Sequence, residues 1–77
     1  MEARDLGNTV TLYLPQAGGG PQPYAVFRDR QHVGAFATRD ESLRFAMALA
    51  ETIRRDQQLP IRVRSEDDAG QWQSLEP

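Results

Sequence analysis

The side chains able to do chemistry in this chain are few. His32 is the sole histidine and there is no cysteine, which removes thiol catalysis, disulfides and thiolate-held metals. A serine triad would need His32 as base, with an orienting acid such as Asp29 from the same tight turn. Close neighbours in one turn do not supply that geometry. None of Ser42, Ser65 and Ser74 sits in a G-x-S-x-G elbow. Gly18-Gly19-Gly20 is followed by Pro21 and Pro23, and the chain has no lysine. A phosphate loop needs G-x-x-x-x-G-K-[ST] running into a helix, so the triple glycine reads as a hinge. Glu66-Asp67-Asp68 before Gly70 departs from the calcium-loop pattern and reads as a solvated turn, weak divalent binding being the lesser alternative. No catalytic, cofactor-binding or metal-ligating residue is expected, no cofactor, and no enzyme activity.

What remains is arginine, which accounts for all nine basic residues. Arg62 and Arg64 alternate with Ile61 and Val63 and so belong to the opposite face of a strand. Arg28 and Arg30 come from a neighbouring hairpin. With Tyr13, Tyr24 or Phe27 beside them, according to register, these four arginines could hold nucleic acid by phosphate contact and base stacking. The alternative is charge that keeps exposed strands from aggregating, and the formal net charge of −2 favours it. The expected function is therefore a small non-catalytic accessory or protein-interaction module with an unidentified protein partner; nucleic-acid binding through Arg28, Arg30, Arg62 and Arg64 is the alternative. The charge is unevenly spread. Residues 23–65 are mildly basic, whereas 66–77 carry Glu66, Asp67, Asp68 and Glu76 and no base. That acidic segment is expected to mask Arg28, Arg62 and Arg64 in part.

Composition limits the scaffold that positions these groups. A chain of 77 residues, 39% hydrophobic, supports one modest core. Residues 1–8 are polar and expected to be flexible. Residues 9–75 form the domain, with a Gly/Pro-rich loop at 16–23. Val10, Leu12 and Leu14 alternate with polar residues as in a strand. Tyr24–Arg28 and 33–37 read as a hairpin joined through Asp29-Arg30-Gln31-His32, with a bulge or close neighbour at Gly34. Thr38 with Glu41 three residues on is a capping box. It opens a predicted helix over 39–56 whose buried stripe is Leu43, Ala46, Met47, Ala50 and Ile53, and Pro60 bars continuation. Ile61–Ser65 and 71–75 read as a closing hairpin. The expected fold is α+β, in the order β-β-β-α-β-β, with one helix on a small, mostly antiparallel sheet. Its core adds Val26, Ala35, Ile61, Val63 and Trp72 to the residues above.

The exclusive use of arginine reads as the codon bias of a GC-rich genome. Without cysteine, a bacterial cytoplasm is the expected setting. Met1–Asp5 shows no apolar signal segment, and the longest apolar run, Ala46–Ala50, is far short of the ~20 residues a membrane span needs. No membrane association is expected, and the chain is expected to be a monomer or a weak homodimer through a sheet edge.

The stretch from Gly34 to Leu43 resembles a G-x-F-x-T-x-x-E-A junction. With Tyr24-Ala25-Val26 before it, and Ile61–Val63 and Gly70-Gln71-Trp72 after it, the layout resembles a group of short uncharacterised bacterial hairpin–helix–hairpin domains. That resemblance covers roughly Pro23 to Leu75 and implies structure, not chemistry. A weaker resemblance is to the sheet-plus-helix AP2 and integrase arm-binding domains. These read DNA with the sheet, which implies a role for Arg28 and Arg30; their strand tryptophan has no counterpart here.

Overall fold

The computed structural model describes residues 9–75; the expectation for residues 1–8 lies outside them. The elements are strands β1 (Val10–Leu14), β2 (Tyr24–Arg28) and β3 (Gln31–Phe36), helix α1 (Arg39–Gln57), and strands β4 (Ile61–Glu66) and β5 (Trp72–Leu75). The five strands make one sheet in the order β3-β2-β1-β4-β5. The pairs β1·β2, β2·β3 and β4·β5 are antiparallel, and β1·β4 at the centre is parallel. The fold is thus α+β in the expected order, with a mixed sheet.

The helix starts where local chemistry dictates. Thr38 is extended (φ −130°, ψ 155°) and its Oγ1 accepts a hydrogen bond from Glu41 N at 3.2 Å. Asp40 and Glu41 put negative charge in the first turn, and Arg54 and Arg55 put positive charge in the last. The helix ends at Gln58, which turns left-handed (φ 55°), two residues before Pro60. Asp40 pairs with Arg44 at 3.0 Å across one turn. Arg55 pairs instead with its neighbour Asp56 at 3.5 Å.

The core lies between α1 and one sheet face. Val10, Leu12 and Leu14 of β1, Val26 of β2, Val63 of β4, and Ala46, Ala50 and Ile53 of α1 are buried. The stripe is rotated from the expected one. Ser42, Ala46 and Ala50 form its centre, and Leu43 and Met47 are half-buried flanks. Ser42 is 1% exposed and donates its hydroxyl to Arg39 O at 2.7 Å, so its burial leaves no polar group unpaired. Two further core expectations fail. Ala35 lies opposite Ala25, on the strand positions that alternate with the core-facing ones, and is half-buried. Trp72 is 41% exposed, because its pairing with Glu66 sets it on the sheet face away from α1, on the edge strand β5.

The first hairpin turns through Asp29-Arg30 alone, and Gln31 and His32 belong to β3. Asp29 takes a left-handed conformation (φ 54°), its N donates to Thr11 O at 2.7 Å, and its Oδ1 accepts from Thr11 N at 3.2 Å. The turn is thereby tied to the central strand. The β2·β3 register shifts between Val26 and Phe27, next to Gly34. A Cβ at Gly34 would lie 3.1 Å from the Phe36 ring and 3.5 Å from that of Phe45. The two rings pack with centroids 5.0 Å apart. Gly34 is therefore covered by Phe36 of its own strand and Phe45 of the helix, the close neighbours that the sequence anticipates. Gly34→Val is expected to destabilise the fold by ~1–3 kcal/mol through overpacking. Gly19→Ala, where a Cβ meets nothing within 4 Å, should be neutral or slightly stabilising; urea denaturation of both variants checks this.

Candidate functional site

The sheet face away from α1 is covered by no other element among the described residues. Its composition follows from register. Tyr13 lies opposite Phe27 on one side and Arg64 on the other; Phe27 lies opposite His32, and Arg64 opposite Ser74. Residues paired across strands share a face, so His32, Phe27, Tyr13, Arg64 and Ser74 form one row across all five strands. Thr11 and Arg62 pair beside it towards the start of β4, and Glu66 and Trp72 towards its end.

The rings of this face are arranged in two edge-on pairs. Phe27 and His32 have centroids 5.3 Å apart with planes at 82°. Tyr13 and Trp72 stand 5.9 Å apart at 90°, with Trp72 reaching over β4 to meet the tyrosine. T-shaped contacts suit the ring quadrupoles. Tyr13 and Phe27 are half-buried, and His32, Arg62, Arg64 and Ser74 are exposed. Among the described residues, neither Arg62 nor Arg64 has an ion-pair partner.

The four arginines grouped from sequence do not share this surface. Arg62 and Arg64 stand on it. Arg28 lies opposite Leu12, on the helix side, and its Nη2 donates to Gln57 Oε1 of α1 at 3.2 Å. Arg30 is exposed in the turn. Tyr24 is on the helix side as well, under Arg39, so Tyr13 and Phe27 are the aromatics that join Arg62 and Arg64.

The acidic segment does not mask these arginines either. Glu66 Oε1 accepts from Gln16 N at 3.0 Å. Asp67 Oδ1 closes its own turn, accepting from Ala69 N and Gln71 N at 2.9 Å each. Asp68 pairs with Arg39 at 3.4 Å. Each carboxylate has another partner, and none forms an ion pair with Arg62 or Arg64, although Glu66 stands on the same face. Glu76 is outside the described residues.

Arg39 itself was not singled out in the sequence. Its Nη1 donates to Ser65 Oγ and to Glu66 O, both at 3.3 Å, its Nη2 faces Asp68, and its guanidinium lies 5.4 Å from the Tyr24 ring centroid. An arginine at the first position of a helix opposes the macrodipole, and that mismatch was the available signal that it serves another element. Beside it a cleft of about 310 Å³ opens between Leu43 of α1 and Gln73 and Leu75 of β5. Gln16 adds to the same clasp from the Gly/Pro loop, its Nε2 donating to the carbonyls of Asp67 and Asp68 at 3.2 and 3.1 Å.

No cluster of three or more His, Cys, Asp or Glu among the described residues is placed to hold a metal ion. No described helix is long and apolar enough to cross a membrane. Comparison with protein-family models, curated proteins and solved structures found no match to this chain.

The Arg39 clasp yields an expected ranking. Arg39→Ala should destabilise the fold by about 1–3 kcal/mol, since it removes bonds from a charged donor to half-buried acceptors. Arg39→Lys should recover only part, lacking the planar fork. Asp68→Ala should stay within about 0.5 kcal/mol, because its side chain is 96% exposed. Thermal and urea unfolding of the three variants would check the order.

Proposed function

We propose that the protein is a small binding module without a catalytic role, working through the open face of its sheet. One observation supports this above the others: Phe27, Tyr13 and Arg64 adjoin in one cross-strand row, with Trp72 leaning onto Tyr13, on a surface that no other described element covers. Tryptophan, tyrosine and arginine are the side chains that supply most binding energy at interfaces, since they combine large contact area with directional polar groups. The same face carries neither the paired acids nor the histidine–nucleophile contacts that catalysis would use. Nucleic-acid binding is a second reading of the same surface, favoured by Arg62 and Arg64 having no ion-pair partner among the described residues.

A binding face should contribute little to folding. Arg62→Ala and Arg64→Ala are expected to change unfolding free energy by no more than about 0.5 kcal/mol. Trp72→Ala should lose about 0.5–1.5 kcal/mol with the Tyr13 contact, whereas Leu12→Ala in the core should lose ~2–5 kcal/mol. Chemical denaturation of the four variants decides the point. Losses on the open face as large as that of Leu12→Ala would show that these side chains serve the fold, and the binding reading would fall.

A further inference from the structure

We propose that the ligand of the open face is single-stranded nucleic acid, its bases stacked on Phe27, Tyr13 and Trp72 and its phosphates held by Arg62 and Arg64. This inference rests on the open face being the binding surface, and it names the ligand's chemistry. The rings occupy β2, β1 and β5, and Trp72 bridges β4 to reach Tyr13 at 5.9 Å. With strands ~4.8 Å apart, the aromatic line from β2 to β5 extends for about 14 Å. That is room for the two or three bases that sheet aromatics take in other single-strand readers.

Arg64 stands on β4 within this line, between the strands that carry Tyr13 and Trp72, and Arg62 lies to one side of it. Arg64 adjoins Tyr13, and Arg62 follows towards the start of β4, beside Thr11. A strand laid across the sheet therefore sets its bases over the rings and meets Arg64 on the intervening strand and Arg62 beside it with its phosphates. Two guanidiniums without an ion-pair partner among the described residues stand there against one carboxylate of the same face, Glu66, so an anionic ligand meets a small surplus of positive charge. Glu66 is held by Gln16 N, Asp67 by its own turn, and Asp68 by Arg39 on the far side of the sheet.

The same features select against other polyanions. A duplex keeps its bases stacked on one another and offers the rings nothing. Two guanidiniums alone also neutralise too little of its phosphate charge for tight binding. An acidic peptide could use Arg62 and Arg64 but would leave three ring surfaces without flat partners.

Trp72 is the only tryptophan, so its intrinsic fluorescence reports directly on the face. The test titrates a mixed-sequence single-stranded oligonucleotide against the intact chain at low and rising salt. Trp72 emission and the anisotropy of a labelled strand are both followed. The expected result is saturable quenching by the single strand, and at least tenfold weaker binding of the matching duplex. Two phosphate contacts give a log–log salt slope of about −1.4, and Arg64→Ala should bring it to about −0.7. Tyr13→Ala should weaken binding about tenfold or more. Trp72→Phe, which keeps a ring, should bind within a few-fold of the parent by anisotropy. Arg28→Ala removes the same charge from the helix side and should leave the slope unchanged.

Absence of oligonucleotide binding at low salt overturns the inference, as does an effect of Arg28→Ala equal to that of Arg64→Ala. A parallel titration with an acidic, tyrosine-containing peptide separates the two levels. Quenching by the peptide alone overturns the nucleic-acid ligand and keeps the binding face. Silence towards both overturns the ligand and leaves the face to be judged by the stability comparison.

Discussion

One helix has to cover five strands, and its width cannot do so. An α-helix with side chains is ~10–12 Å across, and the axes of five strands at ~4.8 Å spacing extend over about 19 Å. The protein places α1 over the middle of the sheet, where β1, flanked by β2 and β4, supplies the longest run of buried residues. The second face is left bare, and so is the helix-side flank of β5. The exposure of Trp72 and the cleft beside Leu75 both follow from that geometry. So does the opportunity to use the open face for binding, since the residues there are released from packing the core.

Coverage being partial, polar contacts secure the periphery. In the β4–β5 hairpin β5 lacks helix packing, and the hairpin is held by Arg39 and by Gln16. Both reach carbonyl oxygens of its turn region. The β2–β3 hairpin is secured by the reciprocal bonds of Asp29 with Thr11. In each case a side chain distant in sequence satisfies backbone groups that a second helix would otherwise shield. The acidic run 66–68 belongs to this arrangement and makes no ion pair with the arginines of the open face.

Features governed by short stretches of chain were readable from residue types. Thr38 with Glu41 marks the start of the helix, Pro60 its latest end, and the alternation at 10–14 and 61–65 the central strands. Features governed by register or coverage were not. Whether Arg28 shares a face with Arg64 depends on which residue of β1 it meets, and the Asp29–Thr11 bonds decide that. The exposure of Trp72 likewise depends on register, since its pairing with Glu66 sets it on the face that the helix does not cover. The rotation of the helix stripe has another cause: the line of closest approach to the sheet is filled by Ser42, Ala46 and Ala50, since small side chains let the helix settle deepest. Hydrophobicity ranks Leu43 and Met47 above them, whereas proximity favours the small residues.

The parallel union of β1 with β4 also governs the order of assembly. The β2–β3 hairpin and α1 can form from contacts close in sequence. The central strand, in contrast, gains its second neighbour only when residues 61–66 close a loop of some fifty residues against it. Closing long loops is the slow part of folding. Until that closure, Val10, Leu12 and Leu14 line an edge with unsatisfied backbone groups, the kind of surface that recruits other chains. In a nascent or partly unfolded chain, β1 is thus the segment most in need of shielding, although in the finished fold it is the one most deeply enclosed.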